Sequence, residues 1–410
     1  MLDVQVATLD GNTTTGVLKS LDEDELVIAP GEKPDVPIAV SDVLMVDLQA
    51  QKRSASAGLL QVILADGSLI PAQTITASAE EVTSNSVALG DVNIPRDRVR
   101  AVALQPVTSE WRPQWDAFLA RRNKKDMLIV EKRDGSGLDF LVGIVNSIRE
   151  PEVLFLLNGT EIPVPRKRIV GIIFEEANSP DANPAGVSVH LVDGSVIRGG
   201  EVFLEDSKLC FESSWEQFLE ISVDGIAKID FSSGRVHYLS DLDPIVEKYF
   251  GLEPSGQEWG TQFEEDRTTR TGLSSPWKMS RDRFPNSGRP LLSLQGRRFK
   301  KGICIFPSAR IDYALDARYS SLKALVGIDD DVAFNQQSTQ APTAVELRIE
   351  ADGEQIYRTL IRALDQPVPL DLKLDGVNTL SLTVDFGDGS SICDYLDLAD
   401  AKLIVDNSSK

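Results

Sequence analysis

A fourfold repeat constrains the fold of the first part of this 410-residue chain more than any other feature of its sequence. Four segments each contain an alternating apolar and polar stretch, an Asp-Gly pair, a second alternating stretch and a closing phrase. The four pairs are Asp10-Gly11, Asp66-Gly67, Asp134-Gly135 and Asp193-Gly194. Asp-Gly between alternating stretches predicts a β-hairpin, because both residues tolerate the positive φ of a type I′ turn.

The closing phrases of the four segments share one apolar rhythm. They are IAVSDVLMVDL (38–48), IPRDRVRAVAL (94–104), VPRKRIVGIIF (164–174) and ISVDGIAKIDF (221–231). Each phrase predicts a short strand, a tight helical turn and a last strand. Units of about 45–60 residues with roughly five strands fit SH3-like or Sm-like small β-barrels, since a lone hairpin cannot bury its apolar face. A pair of continuous sandwiches is the alternative.

The repeat predicts four small β-barrel units, which cover residues 1–50, 57–107, 126–178 and 186–242. A connecting helix is expected over 108–125, because aromatic and apolar residues recur there at helical spacing and basic residues gather at the C-terminal end. The stripe consists of Trp111, Trp115, Phe118 and Leu119. Packing between barrels explains this stripe better than a ligand groove does. Residues 243–287 lose the periodicity and are interpreted as a linker.

Composition excludes several classes of protein. The formal net charge of −21 argues against a nucleic-acid partner, because an acidic surface repels the phosphate backbone. Two His and three Cys are too few and too dispersed for a Cys/His zinc site. No apolar run reaches the roughly 20 residues that span a bilayer. MLDVQVATLD lacks the basic and apolar regions of a signal peptide, so either the protein is cytosolic or its export signal is absent from this sequence.

In the last segment, residues 288–406, apolar and polar residues alternate with period two, as in KGICIF, AVELRIEA and LSLTVDF. Gly, Asp and Pro bound these stretches. This pattern predicts an antiparallel β-sandwich. The ordered motifs resemble the NPCBM/NEW2 domain, a carbohydrate-binding module associated with glycoside hydrolase family 98, and the resemblance implies a galactose-binding-like fold. The residues that carry it are Gly296, Phe299, Lys301-Gly302, Tyr313, Val326–Asp330, Asp352-Gly353, Asp394, Asp397 and Ala399–Ala401.

The chain departs from that family at three positions. Phe306 and Tyr395 stand where the family commonly has His, and Leu398 stands where it commonly has Trp. Sugar recognition needs an exposed aromatic face and polar groups for the hydroxyls. The candidate platforms that remain are Trp277, Tyr313, Tyr319 and Tyr395, each of which also fits a core position. The candidate ligand-binding residues are Trp277, Arg310, Asp394 and Tyr395.

The stretch VGIDDD, residues 326–331, places three carboxylates at the predicted end of a strand. Alternation directs Val326 and Ile328 to the core and Asp330 and Asp331 toward solvent. Calcium binds six to eight oxygen ligands, so Asp330 and Asp331 are candidate calcium ligands, although no EF-hand pattern is present. Simple solvation of a strand end is the alternative that the pattern favours.

Residues 267–301 contain ten basic side chains and a single acid, Asp282. Because the chain as a whole is acidic, this local excess of basic side chains needs an explanation, and two are open. The segment contacts an anionic glycan or a partner, or it neutralises the acidic surface of the protein itself, which is the interpretation that the sequence favours.

Cys304 and Cys393 lie in the first and last motifs of the resemblance, which a galactose-binding-like sandwich can bring together. A disulfide between them and two separate buried thiols are both compatible with the sequence. No P-loop, G-x-S-x-G elbow, H-E-x-x-H or G-x-G-x-x-G motif is present, so the chain is not expected to be an enzyme.

These observations predict a non-catalytic all-β protein in which tandem small barrels precede a galactose-binding-like sandwich. We expect the sandwich to bind a glycan or a cell-surface polysaccharide through its loops, and the protein to be periplasmic, cell-surface or secreted. The alternative is a structural or protein-interaction scaffold of the cell envelope whose module has lost sugar binding and which contacts another envelope protein.

Overall fold

We describe the fold from a computed structural model of the chain. The structure describes residues 2–31, 33–48, 59–175, 186–250, 278–285, 291–335, 343–387 and 395–405. The chain divides into two compact units, Met1–Gly234 and Arg235–Lys410. Antiparallel strands form nearly all the regular structure in both units, which confirms the all-β fold class.

The N-terminal unit consists of four modules, each with five strands. Module 1 contains β1 (Asp3–Thr8), β2 (Thr13–Leu21), β3 (Glu25–Ala29), β4 (Val36–Ala39) and β5 (Val43–Asp47). Module 2 contains β6 (Leu60–Leu64), β7 (Leu69–Ala77), β8 (Glu81–Ser86), β9 (Gly90–Pro95) and β10 (Val99–Ala103). Module 3 contains β11 (Asp126–Glu131), β12 (Leu138–Ile148), β13 (Glu152–Leu157), β14 (Thr160–Pro165) and β15 (Ile169–Ile173). Module 4 contains β16 (Val187–Leu191), β17 (Val196–Glu205), β18 (Lys208–Ser213), β19 (Phe218–Ser222) and β20 (Ile226–Asp230).

In every module the first strand pairs with both the second and the fifth and therefore lies between them. Single turns of 3-10 helix separate the fourth and fifth strands, at Val40–Asp42, Arg96–Arg98, Arg166–Arg168 and Val223–Gly225. The closing phrases therefore form the strand, helical turn and last strand that the sequence predicts. The assignment of the modules to the SH3 or Sm type stays a prediction.

The Asp-Gly turns differ from the predicted type I′ geometry. Each Gly has a positive φ, such as +82° at Gly11, but no Asp of the four pairs does. The Gly11 N–H donates to the Thr8 carbonyl, so a type I turn ends in a left-handed Gly. The Asp carboxylate instead accepts the N–H two residues on, as Asp66 does from Ser68 at 2.7 Å. Asp is favoured here because its side chain stabilises the turn.

The modules pair through their last strands. In the pair formed by β5 and β20, Val46 lies opposite Ile229, whereas Val102 lies opposite Ile172 between β10 and β15. The helix α1 (Arg112–Leu119) is shorter than the one predicted over 108–125. Its Trp115 is fully buried and packs at Gly171, where any Cβ would meet the indole. The predicted aromatic stripe thus packs against the junction of modules 2 and 3.

The C-terminal unit contains short strands before its main sheets. These are β21 (Val236–Tyr238), β22 (Val246–Tyr249), β23 (Ser280–Arg281), β24 (Leu292–Leu294) and β25 (Arg297–Phe299). The later strands are β26 (Gly302–Ile305), β27 (Ala309–Ala314), β28 (Tyr319–Ile328), β29 (Ala344–Ala351), β30 (Glu354–Arg362), β31 (Val368–Lys373), β32 (Thr379–Phe386) and β33 (Leu396–Val405). The helix α2 (Asp330–Asn335) comes after β28, and a 3-10 turn covers Leu239–Asp241.

Two sheets of this unit form a sandwich. One sheet has the order β23-β26-β33-β28-β31 with β21 paired to β33, and the other has the order β22-β27-β32-β29-β30. Apolar side chains from both sheets, such as Ile303 and Leu403 from the first and Ile311 and Leu382 from the second, form one buried cluster. The strands β24 and β25 form a separate hairpin.

The boundary between the units falls earlier in the chain than the sequence predicts. Val236 pairs with Ile404 and Val246 pairs with Asp312, so residues 236–249 belong to the sandwich. The fourth unit therefore ends before residue 242, and the predicted linker over 243–287 is wrong for β22 and β23. Strands of two to four residues carry too little periodicity to be detected from sequence.

The described helices do not include one that combines the length and the apolar character needed to cross a bilayer.

Candidate functional site

Several of the predicted site residues lie at one end of the sandwich, which we call the loop end. Ile305 and Ile328 both lie opposite Leu396, at the start of β33. In the other sheet Val345 lies opposite Phe386. The centres of the Phe306 and Phe386 rings are 6.3 Å apart, so this end of one sheet lies against the same end of the other. Residues 336–342 and 388–394 lie outside the described residues.

The VGIDDD stretch forms the end of β28 and the start of α2 at the loop end. Val326 and Ile328 are buried, as predicted. Asp330 is only 7% exposed, so the expectation that it projects to solvent is wrong. The strand ends at Ile328 and the chain turns into α2, which returns the Asp330 side chain to the protein.

Asp330 fixes the hairpin of β24 and β25. Its Oδ1 accepts the Gln295 N–H at 2.7 Å, and its Oδ2 accepts the Gly296 N–H at 2.7 Å and the Ser293 hydroxyl at 2.6 Å. These three protein donors satisfy the carboxylate, which was a candidate calcium ligand. In the part of the chain that the structure describes, no group of three or more His, Cys, Asp or Glu side chains is placed to hold a metal ion. The Asp331 N–H donates to Asp329 Oδ1, at the start of α2.

Asp329 and Asp397 form a buried carboxyl pair behind this hairpin. Asp329 is 1% exposed and accepts the Ser293 N–H at 3.0 Å, whereas Asp397 is fully buried and neither of its oxygens has a hydrogen-bond partner of normal geometry. Burial, followed by the charge of Asp329, raises the pKa of Asp397 well above its ordinary range. Burial also raises the pKa of Asp329. The pair therefore favours a protonated Asp397.

Cys304 lies against the same pair and is a free, buried thiol. Burial, together with the nearby Asp397 carboxyl, raises the pKa of this thiol well above its ordinary value. The disulfide to Cys393, one of the two alternatives from sequence, is not formed by Cys304 in this structure. Cys393 itself lies outside the described residues. A buried protonated thiol is a poor nucleophile, which fits a structural role.

Tyr395 lies in the core and not on the surface. Its residue is 5% exposed, and its ring packs at 5.1 Å from both the Phe284 and the Phe306 rings. The prediction that Tyr395 binds ligand by stacking is therefore wrong for this structure, because no ring face is available to a sugar. Phe306, Tyr395 and the buried Leu398 are the three positions that depart from the family pattern. Two of them form one aromatic cluster in place of polar groups.

Arg310 lies on β27 and belongs to a polar network on the outer face of its sheet. Its guanidinium donates to Asp312 at 3.0 Å, to Glu350 at 3.3 Å and to the Ser381 hydroxyl at 3.0 Å. These contacts lie along the strands and away from the loop end. The structure thus does not bring Arg310 together with Tyr395, the other predicted ligand-binding residue that it describes. Trp277 and Asp394 lie outside the described residues.

Sequence reasoning missed the role of Asp397. The sequence marked this residue only as part of a family motif. An available signal was its position in LDLADA, where alternation places it on the same buried face of β33 as Ala399. A carboxylate at a core-facing position is either paired or protonated.

Residues 235–404 match the model of the NPCBM/NEW2 domain. The C-terminal unit belongs to the class of two-sheet antiparallel β-sandwiches. This match confirms the resemblance carried by the sequence motifs: the unit is an NPCBM/NEW2 domain. It also begins at the same residue as the C-terminal unit, so sequence family and fold give one boundary.

Solved structures similar to this chain are carbohydrate-binding modules of the CBM51 type. One is CBM51 from the GH95 of Clostridium perfringens in complex with methyl-galactose, with a TM-score of 0.31 and 20% identity over 41% of this chain and 99% of that one. Another contains the CBM51-2 and INT domains of Clostridium perfringens ZmpB, with a TM-score of 0.32 and 17% identity over 55% of this chain and 39% of that one. A third contains the tandem CBM51 modules of a family 98 glycoside hydrolase from Streptococcus pneumoniae, with a TM-score of 0.31 and 14% identity over 98% of this chain and 88% of that one. No curated protein matches the chain.

Proposed function

We propose that the protein is a non-catalytic carbohydrate-binding protein whose C-terminal module recognises a glycan at the loop end. The match of residues 235–404 to the NPCBM/NEW2 domain carries this proposal. Glycan recognition is the function with which that domain is associated, and neither the sequence motifs nor the buried Cys304 supports catalysis.

The structure supports the loop end as the position of the site. The inner strand faces of the sandwich are occupied by the buried cluster, and part of the outer face carries the side-chain network of Arg310. Connections, in contrast, are free to vary in sequence while the sheets hold them in place. Asp394 belongs to the segment of the sequence between β32 and β33, directly before Tyr395. Asp394 and Trp277 therefore remain the proposed ligand-binding residues.

A glycan that such a site binds is part of a polysaccharide or a glycoconjugate at a cell surface. We therefore place the protein in the periplasm, at the cell surface or outside the cell. The N-terminal modules present the binding unit to its ligand, and another envelope protein is a candidate contact for them.

A glycan array probed with the full chain tests this proposal. We expect binding to at least one class of neutral glycan, and a loss of about tenfold or more for Asp394→Ala, because a charge-assisted hydrogen bond to a hydroxyl contributes about that much. Asp375→Ala is the matched control, since Asp375 is an exposed Asp in the connection between β31 and β32 at the opposite end of the sandwich.

Chelation of calcium is expected to leave binding unchanged, because protein donors already satisfy Asp330. A folded protein that binds no glycan on the array contradicts the proposal. If residues 1–234 then capture an envelope protein, the scaffold function replaces it.

A further inference from the structure

The hairpin of β24 and β25 presents basic side chains on a rigid turn. Gln295 and Gly296, between the strands, both have positive φ, +51° and +77°, which is the geometry of a two-residue type I′ turn. Leu292, Leu294 and Phe299 attach the hairpin to the sandwich core. The Asp330 carboxylate holds the turn through the Gln295 and Gly296 N–H groups. The strands and the turn are therefore fixed before any partner arrives.

Some basic residues of this region pair with acids of the protein itself, whereas those of the hairpin do not pair with any acid that the structure describes. Arg281 pairs with Asp243 at 3.1 Å, and Lys301 pairs with Asp241 and with Asp282, so these two neutralise acids of the protein itself. Arg297, Arg298 and Lys300 are exposed and form no ion pair within the described residues. The three hairpin side chains therefore have charge available for an external anion.

The geometry of these three side chains favours a linear partner with spaced charges. Arg297 lies over the Phe299 ring at 5.1 Å, which orients its guanidinium along the hairpin. Arg298 and Lys300 are two positions apart and project on the opposite side of the strand from Phe299, so their backbones are about 7 Å apart. Ser293 lies opposite Arg298 and donates its hydroxyl to Asp330.

We propose that this hairpin binds an anionic polysaccharide, in which carboxylate or sulfate groups recur along the chain. The net charge of −21 disfavours a partner as densely charged as a nucleic acid, with roughly one charge per 1.7 Å of duplex, whereas it tolerates a polymer with about one charge per sugar. The inference extends the proposed glycan binding and rests on it for the class of ligand. The hairpin is adjacent to the loop end, since Asp329 and Asp330 contact both.

The test measures binding of the full chain to polygalacturonate by titration calorimetry, with a neutral galactan beside it. The variant Arg298→Glu with Lys300→Glu is expected to weaken polygalacturonate binding by about tenfold or more, because two favourable charge contacts become repulsive. The matched control is Lys132→Glu with Arg133→Glu, an exposed basic pair in the Asp134-Gly135 hairpin that changes net charge equally. The control is expected to bind as the wild type does, and wild-type affinity is expected to fall with added salt.

Equal weakening by both variants would show that only net charge matters and would overturn the proposal, as would an absence of polygalacturonate binding at low salt. Hairpin-dependent binding to vesicles containing anionic lipid, without binding to polygalacturonate, would also overturn it in favour of a membrane surface. Neutral glycan binding distinguishes the two proposals. If Asp394→Ala abolishes it and the hairpin variant does not, the loop-end site stands whatever the outcome for the anionic polymer.

Discussion

Asp126 in the N-terminal unit and Asp397 in the C-terminal unit are both buried and have opposite surroundings. Asp126 is 5% exposed and Asp397 is fully buried. The Asp126 carboxylate accepts the guanidinium of Arg96 at 2.9 Å and the N–H groups of Val145 and Glu175 at 2.7 and 2.8 Å. Asp397 faces another carboxyl and a thiol. Burial of a carboxyl alone therefore does not indicate whether it stabilises the fold.

The difference arises from the position of each residue in its unit. Arg96 lies in the 3-10 turn of module 2 and Asp126 starts module 3, so their ion pair joins two modules. The Arg96 guanidinium also lies 4.6 Å from the centre of the Phe174 ring. Asp397 occupies the middle strand of one sheet, where β26 and β28 pair with it on both sides and leave no backbone donor for its side chain.

The substitution Asp126→Ala is the change with the largest expected effect. It removes the partner of the nearly buried Arg96 and leaves two backbone N–H groups without acceptors. We expect the free energy of unfolding of the N-terminal unit to fall by about 3–5 kcal/mol, the range seen when one member of a buried ion pair is removed. Equilibrium unfolding of the full chain in urea, followed by tryptophan fluorescence, measures this loss.

Asp116→Ala provides the control for that measurement. Asp116 pairs with Arg112 at 3.8 Å on the surface of α1, and about half of each side chain is exposed. Its removal is expected to change the free energy of unfolding by less than about 0.5 kcal/mol. A loss for Asp126→Ala as small as that of the control would mean that the junction does not depend on the ion pair.

The substitution Asp397→Asn is expected to act in the opposite direction. The wild type must take up a proton at pH 7 to bury a neutral Asp397, whereas an amide is neutral without one. The variant is therefore expected to be more stable than the wild type by about 1–3 kcal/mol at pH 7, because each pH unit above the ordinary pKa of Asp costs about 1.4 kcal/mol. The unfolding transition of the C-terminal unit measures this gain. A loss of stability of similar size would show that Asp397 has a partner that its surroundings here do not contain.

The sequence predicted the strands and turns of the repeat because that information is local. Alternation and the Asp-Gly pairs locate the hairpins, and the closing phrases locate the helical turns. The type of the Asp-Gly turn was wrong, because the Asp at each turn stabilises a negative φ through its side chain and the prediction considered only the backbone. The boundary near residue 235 was missed because β21 and β22 are defined by distant partners, Ile404 and Asp312 among them.

The candidate site was predicted less well than the fold. Family motifs located Asp329, Asp330 and Tyr395, but the direction of each side chain depends on the path of the chain beyond the strand and on distant neighbours. The turn into α2 buries Asp330, and Phe284 and Phe306, distant in sequence, cover Tyr395. Whether a carboxylate is exposed, satisfied or unpaired is a property of the packed unit, which alternation over a few residues does not determine.

The smallest expected effect is the pH dependence of the stability that Asp397→Asn gains. It also gives the sharpest contrast between Asp397 and the ion-paired Asp126. Folding raises the pKa of Asp397, so the folded state holds this proton more tightly than the unfolded state does. The wild type therefore loses stability as the pH rises from about 4, the ordinary range for Asp, through the folded-state pKa, whereas the variant has no such loss. The groups that face this carboxyl, Asp329, Asp330 and Cys304, are the same in both proteins. The gain is expected to shrink below about 0.5 kcal/mol near pH 4, measured as the difference between urea unfolding curves across the pH range. A gain that stays constant with pH would mean that the variant acts through packing and that Asp397 is not protonated by its burial.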